Sequence, residues 1–282
     1  MATDVSHEEL KIAVFDSGVG GLSILEGVQN RWPSIHYVYC SDNANYPYGL
    51  KSASDVVTFA TSVAMALVER YQPHILVIAC NTMSTIALPA IREKLLIPVI
   101  GVVPAIKPAA QRSESKVIGL LATPATVKRP YTDQLIQDFA SDCNVIRVGS
   151  SALVDIAEAK TRGLSPQLSV IAKEIAPFFD LAHAKESDAR LDTIVIGCTH
   201  FSLLRDELEQ SSAWPVAWLD ATTAIVERTS TILSERQLLD QIPTLPTEKR
   251  LTAVFTKEHS SVKKLSSFLK KFGFHGEFEF LF

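Results

Sequence analysis

Several things are missing from this sequence, and each absence excludes a class of protein. No cysteines stand as a CxxC pair. The four of them lie far apart, at 40, 80, 143 and 198, which excludes a zinc ribbon or a disulfide framework. Basic residues hold no excess: 27 Lys and Arg against 31 Asp and Glu leave a formal charge of −4. A dedicated nucleic-acid binder would carry a strong basic patch instead. The longest apolar stretch, Leu95 to Ile106, is interrupted by Pro98, Gly101 and Pro104. A membrane span needs about 20 unbroken apolar residues. The opening MATDVSHEEL has no basic-then-apolar leader, which predicts a cytoplasmic chain whose cysteines are free thiols. With 47% apolar and 21% charged residues the composition is that of a globular protein, neither disordered nor fibrous. At 282 residues the chain is long for one core and suits two domains of about 140 residues each.

What is present is an alternation. Apolar, β-branched runs at Lys11–Phe15, His36–Cys40, His74–Ala79 and Val99–Val102 are separated by amphipathic stretches at Leu22–Arg31, Ser54–Arg70 and Ser84–Lys94. The pattern restarts with strands at Lys116–Leu121, Asn144–Val148 and Thr193–Gly197, and helices at Thr126–Ala140, Leu168–Phe179 and Phe201–Gln210. A short strand to Leu219, a helix near Thr223–Ser234, a strand at Leu251–Thr256 and a helix at Ser260–Lys271 follow, with surface loops at 183–192 and 240–249. Continuous apolar strands between helices signify parallel sheets covered on both faces. The expectation is an α/β fold of two pseudo-symmetric domains with mainly parallel sheets and an active site in the cleft between them. Residues 1–101 and 216–282 form the first domain and 102–215 the second.

The two halves match in one informative place. ILVIAC at 75–80 continues into NTMSTIALPA, and TIVIGC at 193–198 into THFSLL. Each is an apolar strand ending in a small residue and Cys, then polar residues and a helix. Ligands of parallel sheets gather at carboxyl ends of strands, and a helix N-terminus there lowers a thiol's pKa. A single such Cys reads as core filler. Two in equivalent positions, Cys80 and Cys198, read as chemistry, while Cys40 and Cys143 read as packing.

Other strand ends add candidates. Asp16–Ser17 opens DSGVGG, which lacks the third glycine of a dinucleotide fingerprint, since position 23 is Ser. Its three glycines allow close backbone approach to a ligand. Asp16 would repel a phosphate and suits an ammonium group or proton transfer; the plain alternative is a carboxylate capping its own turn. Tyr48–Gly49 is a turn presenting a phenol and a free N–H. Thr123 and Thr126 are hydroxyl donors or helix caps. His200 could pair with Cys198 on a metal, yet zinc takes three or four ligands and no third is visible, so tuning the thiol is the expected task and no metal is expected. Glu158, in LVDIAEAK, lies on a helix. Two like thiols on facing loops suit the inversion of a carbon acid, which needs a base on one face and an acid on the other. No cofactor site is evident to serve as an electron sink.

The segments AVFDSGVGGLSIL, NYPYG, VIACNTMSTIALPA, IGVVPAIKPAA, LLATPATVKR and DTIVIGCTHFSLL resemble the cofactor-independent glutamate racemases of the aspartate/glutamate racemase superfamily, from about residue 11 to about 235. That resemblance implies an isomerase that interconverts L- and D-glutamate and supplies D-glutamate for peptidoglycan. It implies Cys80 as the thiol acting on D-glutamate and Cys198 on L-glutamate, with Asp16 assisting the first and His200 and Glu158 the second. It carries over Asp16, Ser17, Tyr48, Gly49, Asn81, Thr82, Thr123, Thr126, Thr199 and His200 as substrate contacts. VVPAIKPAA, TVKR and IAEAK are similar to the enterobacterial-type branch, which implies UDP-N-acetylmuramoyl-L-alanine as an allosteric activator; whether the chain is a monomer or a homodimer stays open. Two departures stand out: Ser202 where the family commonly has Pro, and Asp220–Ala221–Thr222 where it commonly has DSG. Aspartate racemisation on the same scaffold and a non-catalytic ligand-binding module are the other two readings.

Overall fold

A computed structural model describes residues 9–180, 190–242 and 250–282. The first run of elements is β1 (Lys11–Asp16), α1 (Leu22–Arg31), β2 (His36–Ser41), α2 (Ala53–Tyr71), β3 (Ile75–Ile78), α3 (Asn81–Ile86), α4 (Leu88–Lys94) and β4 (Val99–Gly101). The second begins with α5 (Ile106–Arg112), β5 (Val117–Ala122), α6 (Pro124–Val127), α7 (Pro130–Phe139) and β6 (Asn144–Gly149). It continues through α8 (Ala152–Thr161), α9 (Leu168–Ile175), β7 (Thr193–Ile196), α10 (Thr199–Ser202), α11 (Arg205–Ser211) and β8 (Ala217–Leu219). The chain ends with α12 (Thr222–Glu235), β9 (Leu251–Phe255), α13 (Ser260–Lys264), α14 (Ser266–Lys271) and β10 (Glu279–Phe280).

The strands form two sheets, ordered β10-β9-β2-β1-β3-β4 and β6-β5-β7-β8, and their pairings are parallel. The series β2-β1-β3-β4 corresponds strand for strand to β6-β5-β7-β8, so the expected pseudo-symmetry is carried by topology. Burial on both faces explains the unbroken apolar runs. Ile12, Val14, Ile75 and Val77 point into one core of the first sheet, and Ala13, Phe15, Leu76 and Ile78 into the core on its other face. Cys40 is fully buried in the latter. The second sheet divides likewise, with Ile194 and Ile196 on one side and Val195 on the other.

The sequence ran Ser84–Lys94 and Thr126–Ala140 together as single helices, whereas each is two. Pro89 and Pro130 sit in the first turns of α4 and α7, where a ring without an N–H begins a new helix and cannot continue an old one. The expected domain boundary at 215 also moves. β8 pairs with β7 in the second sheet, so the chain stays there until Leu219. α12 then packs on α1, closely enough that a side chain at Gly27 would strike Thr222. The departures at 202 and 220 meet at this return. The Ser202 hydroxyl lies 3.5 Å from Asp220 Oδ2, and Asp220 Oδ1 accepts the N–H of Thr222. The loops expected at 183–192 and 240–249 lie largely outside the described residues. Among the described residues no helix is long and apolar enough to cross a membrane.

Candidate active site

The order β2-β1-β3 reverses direction after β1, and so does β6-β5-β7 after β5. Such switch points open a crevice at the carboxyl ends of the two central strands. Cys80 stands two residues beyond β3, and Cys198 two beyond β7, each at the N-cap of the next short helix. Both crevices open into one cavity of about 320 Å³, small for a ligand site and therefore suited to a small molecule. Ser17, Tyr48, Gly49, Cys80, Asn81 and Thr82 line it from the first sheet's side; Thr123, Thr126, Cys198, Thr199 and His200 line it from the second. Eleven of the sequence candidates thus meet, while Asp16 and Glu158 stand behind them.

The two thiols have unlike support. Asp16 is wholly buried and does cap its own turn: Oδ1 accepts the N–H of Ser17 at 2.7 Å and Oδ2 that of Gly21 at 2.6 Å. It also hydrogen-bonds Cys80, whose sulfur lies 3.6 Å from Ser17 Oγ. Burial raises the Asp16 carboxyl above the usual carboxylate range, although nearby His200 and the two backbone N–H groups favour the anion. The expectation of a lowered thiol pKa fails at Cys80. Burial, reinforced by the Asp16 charge, pushes it up to about 12, outweighing the N–H of Met83 and the Ser17 hydroxyl.

On the other side, His200 Nε2 meets Glu158 Oε1 at 2.9 Å, and the ring also hydrogen-bonds Cys198. Burial disfavours its cation, yet these bonds and their charges prevail and hold the imidazole well above its ordinary pKa. Glu158 Oε2 reaches Arg162 at 3.6 Å. Among the described residues no group of three or more His, Cys, Asp or Glu side chains could hold a metal ion.

The glycine loop has a different task from the one its composition suggested. A Cβ at Gly20 would lie 2.5 Å from the backbone nitrogen of His200 and 2.8 Å from Thr199 C. The close approach is therefore between the two domains, and Gly21 gives its N–H to Asp16. The Tyr48 phenol is likewise committed elsewhere, donating to Asp42 at 2.6 Å. Thr123 lines the cavity and caps α6 through the N–H of Thr126.

The sequence reading missed Tyr46, Ser151, Val154 and Asp155, which also line the cavity. Tyr46 packs against His200 with ring centroids 5.8 Å apart. The strand-end rule applied to β6 would have found Ser151 and Asp155, which follow it directly at the start of α8.

A family model described as Asp/Glu/Hydantoin racemase matches residues 22–229. A glutamate racemase of Pectobacterium atrosepticum is 42% identical over 264 residues, covering 94% of this chain and 89% of that protein. The crystal structure of Escherichia coli glutamate racemase, in complex with L-glutamate and the activator UDP-MurNAc-ala, superposes with a TM-score of 0.84 at 38% identity, covering 95% of this chain and 96% of that one. Glutamate racemase from Francisella tularensis, in complex with D-glutamate, gives 0.76 at 25% identity over 97% and 98% of the two chains. By sequence and by fold, this chain belongs to the Asp/Glu/Hydantoin racemase family.

Proposed function

We propose that the chain is a glutamate racemase that moves the α-proton between two thiols without a cofactor and supplies D-glutamate for peptidoglycan. The observation that carries this reading is the pair Cys80 and Cys198, delivered from equivalent strand ends of two matching sheets into one small cavity. Inversion at a carbon acid requires groups on both faces that exchange the roles of base and acid with direction. Cys80 takes the α-proton of D-glutamate, and Cys198 returns one to the opposite face; the reverse direction exchanges them. The α-ammonium of the substrate brings the positive charge that the buried Cys80 thiolate lacks in the protein alone. Asp16 assists Cys80 and holds it through their hydrogen bond, while Glu158 and His200 assist Cys198 as a charged pair. Asn81, Thr82, Thr123, Thr126 and Thr199 present amide and hydroxyl groups to the carboxylates and ammonium. The aspartate reading keeps every one of these residues; the relatives at 42% and 38% identity, both glutamate racemases, favour glutamate.

The deciding experiment follows deuterium incorporation at Cα in heavy water, with L- and D-glutamate and with both enantiomers of aspartate. Exchange and racemisation of glutamate are expected. Binding without exchange would favour the non-catalytic module, and preferential exchange of aspartate would change the substrate. UDP-MurNAc-Ala is proposed as an activator here as well, because the E. coli relative was crystallised with it in that role; an exchange rate that does not rise when it is added would reject this.

A further inference from the structure

β9 enters the first sheet from the far end of the chain, beyond the residues the family model matches, and lies beside β2 with Phe255 opposite Ser41. Both strands end there, but the lacing continues past them. The N–H of Thr256 bonds the Ser41 carbonyl at 3.1 Å. Its hydroxyl donates to Asp42 Oδ1 at 2.7 Å and accepts the N–H of Ala44 at 3.1 Å. Asn43 brackets Lys257, donating to its carbonyl at 2.7 Å and accepting its N–H at 3.1 Å.

Asp42 is the joint of this arrangement. It is fully buried and its own N–H bonds the Asp16 carbonyl at 3.0 Å. Asn45 donates to both its oxygens, at 3.2 and 3.0 Å, and the Tyr48 hydroxyl donates to Oδ2 at 2.6 Å. One carboxylate therefore ties the end of β9 to the turn that lines the cavity with Tyr48 and Gly49. Charge-assisted bonds of this length are among the stronger ones available to a loop without a strand ladder.

We infer that Thr256 and Asp42 are positioning residues, through which the C-terminal strand sets the Tyr48–Gly49 turn against the substrate. The inference rests on the racemase reading and adds to it a role for the tail. The turn supports binding and does not carry the proton. Loosening it removes an interaction that ground state and transition state share, which raises KM and leaves kcat in place.

The test measures kcat and KM for L-glutamate, with thermal unfolding of each variant. Thr256→Val is expected to raise KM about fivefold or more, a factor within the range of one lost hydrogen bond to a charged group, with kcat within about twofold. Thr256→Ser keeps the hydroxyl and should restore KM. Tyr48→Phe cuts the same chain at its other end, so the double variant with Thr256→Val should show less than the product of the two effects. Asp42→Asn stands in should Thr256→Val fail to fold. Unchanged KM in folded variants, or strictly multiplicative effects, would overturn the positioning role. So would a set of variants none of which folds, since that describes scaffolding alone. Loss of turnover by the unsubstituted chain would instead remove the racemase reading, and this inference with it.

Discussion

Replacing Gly20 by alanine adds one methyl group at the contact between the two domains. Its Cβ would stand 2.5 Å from His200 N and 2.8 Å from Thr199 C and Oγ1, where ordinary contact begins at 3.4 Å. The shortfall is about 0.9 Å against backbone, which a rotamer change cannot relieve. The residue that must give way is the one following Cys198, so the second thiol is carried out of line with the first. Misplacement by about 1 Å costs on the order of 10²-fold in rate, equivalent to about 2.7 kcal/mol of activation free energy. The assay is racemisation of L- and D-glutamate followed by circular dichroism, with thermal unfolding beside it. Gly276→Ala is the comparison, because a Cβ there meets nothing within 4 Å. A folded Gly20→Ala enzyme with kcat/KM within about threefold of the parent would refute the argument that this contact sets the distance between the thiols.

Cys80→Ser and Cys198→Ser are each expected to abolish steady-state racemisation, since a hydroxyl at its ordinary acidity cannot replace a thiol in carbon-acid chemistry; near-normal turnover by either would sink the two-base mechanism. Glu158→Gln should lower the pH at which the His200 ring loses its proton, because the carboxylate is among the groups that hold it up. A folded-state pKa raised in this way contributes stability fully present below about 6.5 and lost as the pH rises through the raised value. An NMR titration of the ring that shows no fall in Glu158→Gln would refute the assigned cause. Thr123→Ala removes the cap of α6 and a hydroxyl from the cavity wall together; about 1 kcal/mol of stability should be lost with a raised KM, and Thr123→Ser should recover both.

Much of this was legible in the chain itself, for reasons that are local. A strand buried on both faces must be apolar throughout, so β1, β3, β5 and β7 announce themselves, and their ends mark where Cys80 and Cys198 lie. Prolines 89 and 130 were equally visible as helix starts, though the apolar spacing on either side concealed the breaks. The strand β8 was harder. Three residues carry too little pattern to say which sheet they join, and only the pairing with β7 decides it.

Acid–base character was not local. The helix-start position of Cys80 argued for an easily ionised thiol, yet burial and the Asp16 carboxylate, brought together by tertiary packing, reverse that expectation. Gly20 read as room for a ligand, and its neighbour proved to be the other domain. Missing cysteine pairs, basic excess and long apolar runs limited what the protein could be, and strand-end motifs named the thiols. Which groups stand behind each thiol, and how the tail reaches the Tyr48 turn, depend on residues up to 214 positions apart, such as Asp42 and Thr256. A proton's affinity and a loop's position follow from the whole surroundings of a group, and those surroundings exist only after the chain has folded.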